Sequence, residues 1–115
     1  MGIFEKLSGL NRLAVHFASM AEPANAVLVK QTVKFGDVRY RRCVTVSIEP
    51  RGLFLWVRPP LARHIKLLIP WDHIKKTRAS RLYGLPAVLM SIGDPRQGTI
   101  TVYQDLFERI QANLT

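Results

Sequence analysis

A mainly β fold is what this sequence predicts: a small open barrel or sandwich of about seven short strands, with a helix at each end. Three observations carry the prediction. The apolar pattern changes from a helical period to strict alternation after residue 26. Turn signals then recur at short intervals, as Gly36-Asp37, Glu49-Pro50-Arg51-Gly52 and Asp94-Pro95-Arg96-Gln97. The chain closes on an amphipathic segment at 105–114 that can plug one open end of a curled sheet.

Size agrees with one such unit. A chain of 115 residues fits a single folded domain, and one of this length buries roughly 65% of its unfolded surface. With 48% hydrophobic and 22% charged residues, it has the composition of a folded chain rather than a disordered one. The natural division is an N-terminal helix and linker at 1–26, followed by the β unit at 27–115.

The first helix spans 3–20. Ile3, Leu7, Leu10, Ala14 and Phe17 recur at three- and four-residue steps, and Glu22-Pro23-Ala24-Asn25 stops it. Residues 27–35 and 38–48 form a hairpin about Gly36-Asp37, where Gly first suits a tight two-residue loop. Extending that register along both strands places Lys34 opposite Arg39 and Gln31 opposite Arg42, the latter two turned inward together. A third strand runs from Leu53 to Arg58 and ends at Pro59-Pro60, because proline cannot donate to a ladder. Ile65 to Ile69 form the fourth strand, Pro70-Trp71 a corner, and His73 to Ala79 the fifth strand. Pro86 to Gly93 and Gly98 to Tyr103 form the last hairpin. Asp105 and Glu108 suggest a capping box for the final helix, whose apolar stripe is Leu106, Ile110 and Leu114.

Seven strands followed by one helix, with Gly52-Leu53-Phe54-Leu55 and then Leu68-Ile69-Pro70-Trp71-Asp72-His73-Ile74, resemble small bacterial proteins that carry a pleckstrin-homology-like (PH-like) barrel. The resemblance covers 27–114 and implies a non-catalytic binding module. Phosphoinositide-binding members of that family carry a basic residue late in the first strand and a basic-x-Arg pair in the second. Lys34, Arg39 and Arg41 match that spacing, and the resemblance makes them a candidate anion site.

The charge has its own logic. The net charge is +9, from 17 Lys and Arg against 8 Asp and Glu. Residues 39–81 hold eleven basic and two acidic residues, so this block carries the whole excess, 11 − 2 = 9. Within it, Lys75, Lys76, Arg78 and Arg81 precede Tyr83, and cations beside an aromatic suit a phosphate-rich partner, lipid head group or nucleic acid. The competing expectation is apolar. Phe54 and Trp56 alternate with Leu53, Leu55 and Val57, which makes the third strand apolar on both faces. Either the N-terminal helix covers its second face through Phe4, Leu7, Leu10 and Phe17, or that surface docks a protein partner or a second copy of the chain. Association through this apolar surface is the first functional expectation, and anion binding the second.

Other classes are excluded by spacing. The lone Cys43 forms no disulfide within the chain, and His16, His64 and His73 are too scattered for a metal site. No nucleophile–base pair, Gly-rich phosphate loop or close carboxylate pair appears, so no enzyme, metal or cofactor is expected. Charged residues interrupt the N-terminal segment, and no apolar run approaches the ~20 residues of a membrane-spanning helix. A cytoplasmic protein, peripheral at the inner membrane at most, is the resulting expectation.

Overall fold

Seven strands follow one another along the chain: β1 (Val27–Phe35), β2 (Val38–Glu49), β3 (Gly52–Val57), β4 (Ile65–Pro70), β5 (Ile74–Leu82), β6 (Leu85–Ile92) and β7 (Gly98–Tyr103). The computed structural model describes residues 10, 12–20, 22–23, 27–58 and 64–114. All seven strands belong to one antiparallel sheet in the order β4-β3-β2-β1-β7-β6-β5. The two edge strands, β4 and β5, are consecutive in sequence and joined only by a short 3-10 turn at Trp71–His73. Laid flat, seven strands would hold those edges about 29 Å apart at ~4.8 Å per step. A three-residue link cannot reach that far, so the sheet curls until its edges approach. The mainly-β expectation holds, with its seven strands and closing helix.

The curl encloses the core. Val33, Phe35, Val44, Val46, Leu53, Leu55, Val57, Leu67, Ile69, Met90, Ile92, Ile100 and Val102 are all fully buried on the inner face. Helix α2 (Gln104–Gln111) follows β7 directly and lays Leu106, Phe107 and Ile110 into this core. Its N-cap is Tyr103, with no side-chain cap. Asp105 therefore does not cap as the sequence suggests; it lies in the first turn, where a negative charge suits the helix dipole.

Residues 12–17 form helix α1. Leu10 and Leu13 are buried and belong to the same core as Leu53 and Leu55. A Cβ on Gly98 would meet the Leu13 side chain at 3.1 Å, so the start of β7 is the seat of this helix. After the helix, Ala18 bridges Leu67, and the Ser19 N–H donates to the Lys66 carbonyl at 3.0 Å, adding one short rung to the β4 edge. Phe17 packs edge-on against the His73 ring, with centroids 5.4 Å apart. The helix thus contributes to the inner core and the β4–β5 corner, rather than through Leu10 and Phe17 to the Phe54 and Trp56 face. Phe4 and Leu7, like Ile3, Pro59-Pro60 and Arg63, lie outside the described residues.

The β1–β2 register holds near the turn and fails beyond it. Phe35, Lys34 and Val33 stand opposite Val38, Arg39 and Tyr40 as the sequence suggests, but Gln31 then stands opposite Val44 and Leu28 opposite Val46. Bulges cause the slip. Arg42 adopts a left-handed backbone (φ 54°), as does Lys30 (φ 54°). The Arg42 N–H donates to Thr32 Oγ1 at 3.1 Å, which satisfies a donor the ladder has lost. The expected inward Gln31–Arg42 pair is therefore absent: Arg42 is exposed, and the Gln31 amide donates to the Val29 carbonyl. The bulge at Lys30 also reverses the alternation, so Leu28 packs on the core while Val27 and Val29 are exposed.

At the corner, the 3-10 turn replaces the expected start of the fifth strand at His73, and β5 begins at Ile74. Strand neighbours would point apart. Here His73 Nδ1 and Asp72 Oδ1 meet at 3.0 Å on the surface. Gly52 is required at the β2–β3 turn because β4 passes so close that a Cβ there would strike the Ile69 backbone carbonyl.

Candidate anion-binding face

Directly opposed residues in an antiparallel pair share a face of the sheet. Arg39 on β2 stands opposite Lys34 on β1, and Lys34 opposite Thr101 on β7. Thr101 stands opposite Leu89 on β6, and Leu89 opposite Arg78 on β5. One row therefore runs across five strands on the outer face, with a buried threonine in the middle and cations at both ends. Its length is about 19 Å, from four steps of ~4.8 Å. In the neighbouring row, Thr99 faces Ser91 and Ser91 faces Lys76. Arg41 joins the same face, two residues beyond Arg39 with the buried Tyr40 between them.

Lys34, Arg39, Arg41, Lys76 and Arg78 thus come from two separate sequence clusters and meet on one surface. Lys75 sits at a bulge between Ile74 and Lys76, beside Asp94 and Arg96. Arg81 departs from the group: it pairs with Pro86 in the opposite alternation and donates to the Gly84 carbonyl at 3.2 Å.

Two grooves bracket the row. One of about 270 Å³ is lined by Lys76, Thr77, Arg78, Leu89, Ser91 and Arg96. A larger one of about 610 Å³ is lined by Val29, Lys30, Arg41, Arg42, Cys43, Thr45 and Arg58. Among the described residues neither lining contains a carboxylate; an adjoining groove of about 390 Å³ shares Lys76, Ser91 and Arg96 with the smaller one and adds Asp94. Tyr83 is half-exposed in the β5–β6 turn, its backbone left-handed at φ 52°. The Arg39 and Arg41 guanidinium carbons lie 5.2 and 5.4 Å from its ring centre. Such contacts supply about 0.5–1 kcal/mol at an exposed site, too little to neutralise the cations. Among the described residues, none of Lys34, Arg39, Arg41, Lys76 or Arg78 lies within ion-pair distance of a carboxylate. Burial pushes the Cys43 thiol pKa up, so it remains protonated at neutral pH despite the surrounding cations.

The β2–β3–β4 end of the same outer face is different. Phe54 stands between Ser47 and Leu68, and Phe54 and Ser47 are both fully buried. The Ser47 hydroxyl donates to Glu49 at 3.1 Å, Arg51 lies 3.7 Å from the same carboxylate, and the Trp71 indole donates to the Glu49 carbonyl at 2.8 Å. Trp56 is half-buried, with Arg58 and Lys66 each 4.6 Å from its ring centre. Its indole N–H is buried with no acceptor among the described residues. Lys66 is paired with Glu22 at 2.9 Å. Phe54 thus offers no exposed ring for docking.

Sequence reasoning missed Lys30, Arg42, Arg58 and Arg96 as members of this surface. Arg42 carries no signal, because a left-handed arginine inside a strand is set by the bulge and not by its own preference. The Arg58 position was legible in principle: it is two residues past Trp56 on the same alternation.

Comparison with protein-family models, curated proteins and solved structures returns no match for this chain. Among the described residues no helix is long and apolar enough to cross a membrane, and no cluster of His, Cys, Asp and Glu could hold a metal ion.

Proposed function

We propose that this chain is a non-catalytic module that binds phosphate-bearing polyanions through the outer face of β2, β1, β7, β6 and β5. The observation that carries the reading is the placement of Lys34, Arg39 and Arg41 on the same face of the sheet as Lys76 and Arg78, with no carboxylate paired to them among the described residues. Lys34 and Arg39 face each other across the strands at a cost of up to about 1 kcal/mol, which an anion between them would remove. Guanidinium groups grip phosphate through a planar fork, and exposed like charges raise the rate of encounter with an anionic partner. The finer assignments belong to this proposal: a PH-like bacterial module rests on the sequence resemblance, and a cytoplasmic setting on the single Cys43.

Apolar association through Phe54 and Trp56 is the competing reading, and the burial of Phe54 weighs against it. One experiment separates the two. The double variant Arg39→Glu with Arg78→Glu is compared on phosphocellulose with Arg12→Glu with Arg109→Glu, which makes the same change in net charge at exposed residues on the helices. The face variant is expected to elute at clearly lower salt than the helix variant. Equal elution would overturn the proposal. Self-association that survives high salt in sedimentation velocity would favour the apolar reading, since charge-driven contacts are screened and apolar ones are not.

A further inference from the structure

We infer that the polyanion taken by this face is single-stranded nucleic acid, with bases stacking at Tyr83 while its phosphates follow the flanking arginines and lysines. The inference rests on the anion-binding reading and adds a ligand class to it.

Tyr83 supplies the distinguishing observation. It is 45% exposed, although a ring of that size normally finds cover when a fold can provide it. It sits in a turn, with its backbone held in the left-handed region and its ring against two guanidinium groups. The ring therefore stands at the Arg39–Arg41 end of the cationic face, and Arg41 in turn lines the groove that holds Arg58 and Cys43. Single strands need this combination, a basic track for the backbone and an aromatic or guanidinium plane for the bases. An intact duplex buries its base faces and would use the cations alone, leaving the ring idle. Lipid head groups would likewise use only the cations, and the β1–β2 tip would present Asp37, exposed, to an anionic bilayer.

Cys43, the one cysteine in the chain, provides a reporter because it lines the larger groove. A ligand that follows the cations covers it without requiring the thiol to react.

The test uses the full chain and three probes: fluorescein-labelled oligothymidylate of about a dozen nucleotides, within the span of a small single-strand site; a blunt duplex of the same length; and vesicles of phosphatidylserine in phosphatidylcholine. Anisotropy is expected to show the single strand bound at least tenfold more tightly than the duplex, and vesicles pelleting without the protein at physiological salt. Tyr83→Ala is expected to weaken single-strand binding about tenfold, as loss of one stacked base does. Tyr83→Phe, which keeps the ring, should stay within about twofold, and both should melt like the parent because the position is exposed. Arg39→Ala with Arg41→Ala should lower the slope of log affinity against log salt by about 1.4, from ~0.7 per phosphate contact. Oligothymidylate should slow maleimide labelling of Cys43. Duplex bound as tightly as single strand, unchanged binding in Tyr83→Ala, or undiminished Cys43 labelling would each overturn the inference. Vesicle binding without single-strand binding would overturn it and leave the anion-binding reading standing. Failure to bind any of the three would bring down both.

Discussion

The outer face of one sheet is used in two opposite ways. At the β2–β3–β4 end, Phe54 and Ser47 are fully buried, Glu49 is hydrogen-bonded below the surface, and Lys66 has its carboxylate partner. At the β2–β1–β7–β6–β5 end, five cations share a face with no carboxylate partner among the described residues, two of them, Arg39 and Arg41, against a half-exposed tyrosine. The first end has the character of a core and the second that of a binding surface.

That comparison can be broken by substitution. Phe54→Ala is expected to cost about 3–5 kcal/mol in urea unfolding, the range for an aromatic removed from a packed interior. At temperatures where it stays folded, its phosphocellulose elution should be unchanged. A loss below about 1 kcal/mol would mean that Phe54 is not packed, and the contrast between the two ends would fall. Leu13→Ala is expected to cost about 2–5 kcal/mol, because its side chain is fully buried over Gly98. A truncation of residues 1–20 that unfolds at the same urea concentration as the full chain would show that α1 is no part of the core.

Smaller effects sharpen the other end. Lys34→Ala should weaken phosphocellulose retention while raising stability by a few tenths of a kcal/mol to about 1, as it relieves the cross-strand repulsion with Arg39. Stability that falls instead would mean that the lysine holds the hairpin together. The smallest effect is one of pH. Burial raises the Cys43 pKa above its ordinary 9.0, so the folded chain keeps a proton that the unfolded chain gives up. Its contribution is therefore complete below pH 9.0 and declines as pH rises through the folded value. Cys43→Ser should flatten that part of a pH–stability curve, and an unchanged slope would assign the decline to other groups. Tyr40 is raised too, by burial first and by Cys43 second, and its loss begins above 10.0.

Much of the fold was legible because local rules agreed with tertiary ones. Gly36, positive in φ, makes the β1–β2 turn, and the residues nearest it, Val33, Lys34 and Phe35, pair as the sequence suggests. Where two local rules competed, tertiary packing chose between them. The Gln31–Arg42 pairing follows from unbroken alternation, but bulges at Lys30 and Arg42 bring Leu28 into the core at the cost of two left-handed residues. Phe54 and Trp56 could read as an exposed stripe because alternation names the face of a strand and not what covers it.

The candidate site was legible only in parts. The sequence by itself determined a small basic mainly-β chain, its strands and closing helix, and the charge excess confined to 39–81. Tertiary structure decided that Lys34, Arg39 and Arg41 share a face with Lys76 and Arg78, and that Tyr83 stands beside Arg39 and Arg41. The reason is geometric. Residues more than thirty positions apart become neighbours only when β7 and β6 are inserted between β1 and β5, a strand order set by curling the sheet around one core.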